Sequence, residues 1–165
     1  MGQNTQLVVF VREEKANKVN KYLASYFNRC GFAKMQLFDV IRIVTTYIGP
    51  QGFKFPAQLH KAFKLEDGQF KGRATPQNVI NWINKTQDNN NGAALLKLDV
   101  KEGYIEAGEL YLFNDRETEG NKNVNRCVSF DEYICFNPDY FDEDFIAYFK
   151  AFLRFYNIKI VEYKK

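Results

Sequence analysis

Residues 74–113, ATPQNVINWINKTQDNNNGAALLKLDVKEGYIEAGELYLF, decide how the chain is read. Ala74-Thr75-Pro76-Gln77 opens a helix, because Thr75 can cap free backbone N–H groups and Pro76 suits a first turn. Val79, Ile80, Ile83 and Thr86 then recur at three-to-four-residue spacing beside Trp82, and Gln77, Asn78, Asn81, Asn84 and Lys85 fall on the other side. Two strand-like runs follow, Ala93 to Val100 and Tyr104 to Phe113, around a tight Lys101-Glu102-Gly103 connection. Leu96, Leu98 and Val100 share one strand face and Lys97 and Asp99 the other.

Upstream, Leu37, Val40, Ile41, Val44 and Ile48 carry a helical period over Met35 to Ile48, broken by Gly49-Pro50-Gln51-Gly52. Phe53-Lys54-Phe55 reads as a short strand, and Pro56 to Leu65 as a second helix with Leu59, Ala62 and Phe63 inward. Glu66 to Arg73 reads as a loop. Three helices followed by a β-ribbon is the order of a winged-helix module, so residues 37–113 are expected to form a winged-helix-like core within a single α+β domain spanning 1–165.

The flanks complete that domain. Leu7-Val8-Val9-Phe10-Val11 is a continuous apolar run that reads as a buried strand, Gln6 to Arg12. Glu13 to Arg29 reads as a helix with Val19, Tyr22, Leu23, Tyr26 and Phe27 as its stripe. Asn114 to Asn125 is polar and lacks aromatics, and is expected to be a mobile exposed loop. Residues 126–165 read as strand, helix and strand: Arg126 to Phe136, a helix capped by Asp142, and Ile158 to Tyr163.

Composition limits the roles. An apolar content of 45% with 16 Phe and 10 Tyr argues for a packed core rather than disorder. The longest apolar run is far short of the ~18 residues of a membrane span, and no secretory leader is legible in Met1 to Val11. Cys30, Cys127 and Cys135 lack metal-finger spacing and are expected to be reduced thiols of an intracellular, cytoplasmic or nuclear, protein. No cofactor is implied. His60, the one histidine, has no marked carboxylate or nucleophile partner. Asp131, Glu132, Asp139, Asp142, Glu143 and Asp144 form an acidic set that a metal-dependent nuclease would use, but three of them serve as cap and first-turn charges.

Charge is placed unevenly. Residues 1–101 carry +8 and residues 102–165 carry −5, within a net charge of +3. A basic front suits contact with phosphates. A homodimer stacking basic on acidic faces would use the same asymmetry. The expected function is therefore non-catalytic nucleic-acid binding, DNA or RNA. Gln77, Asn78, Asn81 and Lys85 would face the ligand, with Lys54, Lys61, Lys64, Lys71, Arg73 and Lys101 on phosphates. The alternative is a protein–protein module: a subunit of a nucleic-acid machine, or a viral or mobile-element factor that occupies a host protein.

Overall fold

Val8 to Val11 anchor strand β1, Asn4–Lys15, on which the architecture is built. A computed structural model of the chain describes residues 4–28, 33–47, 73, 75–86, 90–119, 122–135 and 141–162. Both edges of β1 are hydrogen bonded. On one side lies β2, Lys18–Asn28, antiparallel; on the other lies β3, Asn90–Lys101, parallel. Antiparallel to β3 runs β4, Tyr104–Glu119, which pairs in turn with β5, Lys122–Val128. A short β6, Ile158–Ile160, lies parallel to β4 at Gly108 to Leu110. The result is a six-stranded mixed sheet in the order β2-β1-β3-β4-β5, with β6 beside β4.

Four helices pack on this sheet among the described residues: α1, Ala33–Tyr47; α2, Pro76–Thr86; α3, Phe130–Cys135; and α4, Glu143–Phe155. The molecule is thus mixed α+β. A winged helix of three helices and a ribbon is not confirmed. The two strands around Lys101-Glu102-Gly103 lie inside the sheet, with β3 bonded to β1 from Asn90 to Lys101. The expected strand at Phe53 to Phe55, the helix at Pro56 to Leu65, and His60 and Cys30 lie outside the described residues.

The two sheet faces are built differently. Leu7, Val9 and Val11 of β1 and Leu96, Leu98 and Val100 of β3 point to the first face, where they meet Leu37, Val40, Ile43 and Val44 of α1 and Phe149, Phe152 and Leu153 of α4. Phe130 and Tyr133 of α3 complete this larger core. Gly108 sits there because a Cβ would come within 2.9 Å of both Ile158 and Leu98. Val8, Ala93, Leu95 and Phe113 point to the second face and are covered by Val79 and Ile80 of α2.

Three local expectations are corrected. The helix expected over Glu13 to Arg29 is not formed from Glu13 to Asn28: Ala16 and Asn17 adopt φ of 53° and 63°, and a two-residue turn folds β2 back on β1. Two positive φ values in such a turn match the twist of a hairpin. The supposed loop Asn114 to Asn125 is mostly ladder, since Leu112 to Glu119 pairs with Lys122 to Val128. Backbone hydrogen bonds form a ladder whatever the side chains are, so polar composition misled here. The strand expected over Arg126 to Phe136 ends at Val128, where Ser129 Oγ accepts from Glu132 N at 3.1 Å and starts α3. The Asp142 cap is as expected, accepting from Phe145 N at 2.7 Å.

Candidate functional site

Among the described residues the second face divides into a half covered by α2 and a half left uncovered. Thr75 positions α2: its Oγ1 accepts from Asn78 N at 3.2 Å, and its carbonyl accepts from Val79 N at 3.0 Å. With Val79 and Ile80 buried, Gln77, Asn78, Asn81 and Lys85 are left exposed, and so is Arg73 just before the helix. Gln77 Nε2 donates to Asn81 Oδ1 at 2.8 Å, one helical turn on. That bond leaves the Gln77 carbonyl oxygen and the Asn81 amide N–H groups unused by it, an acceptor and a donor on two exposed side chains. Asn78 Nδ2 instead donates to the Arg73 carbonyl at 3.0 Å, which ties down the entry to the helix.

Beside Ala93 in the ladder, Gln6 is fully buried, and both its amide atoms lack a hydrogen-bond partner among the described residues. Its backbone carbonyl is used, accepting from Gln36 Nε2 at 2.6 Å, and Tyr133 O–H donates to Gln36 Oε1 at 2.9 Å. A polar thread thus crosses the core from α3 through α1 to β1. Burial pushes the Tyr133 phenol upward.

Beyond Val8 and Leu95 no described helix covers the second face. Register places Phe10 beside Leu23 and Lys97, and Lys97 beside Glu109, which neighbours Lys159 of β6. The next row along the strands is Lys21, Arg12, Asp99 and Ala107. A depression of about 300 Å³ on these rows is lined by Phe10, Arg12, Lys97, Asp99, Ala107 and Glu109, together with Leu98 and Gly108. Lys97 Nζ lies 6.0 Å from the Phe10 ring centre. Tyr111 O–H donates to Glu109 Oε2 at 3.1 Å. Burial, the Glu109 charge and this hydrogen bond push the Tyr111 phenol up to about 12, so its proton stays in place at neutral pH. Among the described residues neither Arg12 nor Lys97 comes within 4.0 Å of a carboxylate, although Asp99 and Glu109 are their cross-strand neighbours.

The residues singled out from sequence are only partly brought together. Arg73, Gln77, Asn78, Asn81 and Lys85 share one helix and its entry. Lys101 does not join them. It lies six residues beyond Leu95 on β3, roughly 20 Å from the strand segment under α2 at ~3.3 Å per residue. Lys54, Lys61, Lys64 and Lys71 lie outside the described residues. The uncovered half, with Phe10, Arg12, Asp99 and Glu109, was missed because Leu7 to Val11 reads as one buried run. The legible signal was alternation: Val9-Phe10-Val11-Arg12 puts every second residue on the other face.

No three His, Cys, Asp or Glu side chains come together as a metal-ligand set among the described residues. Cys127 is partly buried, and that burial pushes its thiol up to about 11, away from nucleophile chemistry near neutral pH. None of the helices described is long and apolar enough to cross a membrane. Comparison of the chain with protein-family models, curated proteins and solved structures finds no match.

Proposed function

We propose that this protein binds nucleic acid through the second face of its sheet and acts by binding rather than by catalysis. One observation carries the reading: the exposed, nearly uncharged amide face of α2 stands beside a sheet surface whose Arg12 and Lys97 are not ion paired among the described residues. Cations without carboxylate partners can take phosphates without first breaking an internal pair. The Gln77–Asn81 pair matches the donor-beside-acceptor edge of adenine in the major groove. In this reading α2 does the work of a winged-helix recognition helix, with Arg73 and Lys85 on the backbone. Lys101, roughly 20 Å away, would touch a separate stretch of ligand. The intracellular setting inferred from the cysteines and the basic residues Lys54, Lys61, Lys64 and Lys71 belong to the same proposal.

The test is fluorescence anisotropy with labelled single- and double-stranded DNA and RNA over a salt series. Affinity should fall linearly on a log–log plot as salt rises. Absence of binding at ~50 mM salt, or affinity indifferent to salt, would end this reading.

A protein–protein role is the second reading, favoured by a different observation. On α4, Tyr148 and Phe155 are 55% and 79% exposed, seven residues apart and so on one side of the helix. Exposed aromatics at that spacing are suited to an interface. Phe155→Asp should abolish partner capture in a pull-down while leaving nucleic-acid binding intact.

A further inference from the structure

We propose that the uncovered half of the second face seats single-stranded nucleic acid and prefers bases bearing an exocyclic amine; this rests on the nucleic-acid reading above. Charge complementarity identifies the occupant. Arg12 and Lys97 stand on adjacent strands about 4.8 Å apart, with Lys21 on one flank and Lys159 on the other. A phosphate backbone crossing the strands would meet cations along its way. Between them Phe10 is partly exposed on a charged surface, where a base can stack on its ring.

The two carboxylates set the base preference. Asp99 and Glu109 would repel phosphate, so they suit the base edges instead. Tyr111 fixes one oxygen of Glu109 by its 3.1 Å hydrogen bond, leaving the other to accept. Carboxylates accept from the amines of cytosine, adenine and guanine. Thymine and uracil flank their one ring N–H with two carbonyls that repel a carboxylate.

Height selects a single strand over a duplex. The outer face of α2 stands about one helix diameter, ~10 Å, above this floor. A stiff duplex resting on the α2 amides keeps its bases stacked and away from Phe10. A flexible strand can step down and splay them.

The full chain is tested by anisotropy with roughly 12-nucleotide dC, dA and dT oligomers and the matching duplex. The dC and dA oligomers should bind about tenfold tighter than dT and than the duplex, as one lost stacking or base contact gives. Paired substitution Arg12→Gln with Lys97→Gln should weaken dC binding at least about tenfold and lower the salt slope by about 1.4, two phosphates' worth on a single strand. Asp99→Asn with Glu109→Gln should erase the preference over dT while salt-dependent binding persists. Phe10→Leu, with its melting point checked, should weaken every single strand and spare the duplex. If no oligomer binds, the broader nucleic-acid reading falls. If oligomers bind, Asn81→Ala with Lys85→Ala abolishes binding, and the Arg12/Lys97 pair changes nothing, only the present inference is overturned. Equal affinity for dC and dT overturns it too.

Discussion

The two faces of one sheet carry different kinds of residue on the same strands. On the first face, β1 and β3 offer Leu7, Val9, Val11, Leu96, Leu98 and Val100, and three helices bury them. On the second, the same strands offer Val8 and Leu95, then Phe10, Arg12, Lys97 and Asp99. Apolar side chains must be covered to be removed from water, so the first face recruits α1, α3 and α4, whereas among the described helices α2 alone covers the second, over its apolar half. Charged residues beyond that half would be costly to bury without partners. Among the described residues one face of the sheet is apolar throughout and closed by helices, whereas the other is only half apolar and carries charged side chains beyond α2.

The largest effect should come from the first face. Phe149 is fully buried and stacks between Phe130 and Phe145 at ring distances of 6.0 Å. Phe149→Ala should cost about 3–5 kcal/mol in denaturant titration, the range for emptying an aromatic site. A loss below about 1 kcal/mol would mean that this face is not the stabilising core.

Gln6 sharpens the comparison from the second face. Its buried amide has no partner among the described residues, and an unsatisfied polar group costs about 1–3 kcal/mol. Gln6→Met keeps the shape and removes the polar atoms, so the midpoint of denaturation should rise. A fall would show that the amide is satisfied in solution.

Asp39 of α1 offers a pH-dependent contrast. Burial raises its carboxyl to about 6, with Arg42 Nη1 at 3.9 Å pulling the other way. The unfolded value lies near 3.8, so between about 4 and 6 the folded form binds the proton more tightly. Its contribution is complete below pH 4 and is lost as pH rises through 6. Relative to Asp39→Asn, the parent should lose stability from pH 4 to 7, by roughly 1–2 kcal/mol once screening by nearby water is allowed for. A flat difference between the two proteins would place Asp39 in water.

The smallest effect on folding belongs to the α2 surface. Asn81→Ala and Lys85→Ala remove exposed groups and should shift stability by no more than about 0.5 kcal/mol, while weakening nucleic-acid binding. A clear drop in melting temperature would show that this polar face is packed rather than free.

Elements whose signal is local were legible in the sequence. Thr75-Pro76 and Asp142 mark helix starts because a cap satisfies N–H groups within three residues of itself. The β3 and β4 strands were legible from alternation and from the Lys101-Glu102-Gly103 turn, where Glu102 and Gly103 adopt φ of 50° and 85°. The Gln77, Asn78, Asn81 and Lys85 face followed from the period of α2 alone.

What was not legible depended on partners distant in sequence. Val19, Tyr22, Leu23, Tyr26 and Phe27 satisfy a helical stripe, yet the chain makes β2, because β1 offers a hydrogen-bonding edge two residues away. Polar Asn114 to Glu119 shows no strand period, and only β5 returning alongside makes it one. The parallel pairing of β1 with β3 joins residues 87 positions apart, as between Val9 and Leu96, and nothing in either segment names the other. That pairing is what aligns Phe10 with Lys97 and Arg12 with Asp99, so the uncovered half of the second face exists only in the tertiary structure. The sequence by itself determined the caps, the turns and the polar side of α2, since those rest on neighbours along the chain. Tertiary structure decided which strands meet and which charges face one another, because backbone hydrogen bonds between strands carry no mark of the side chains they bring together.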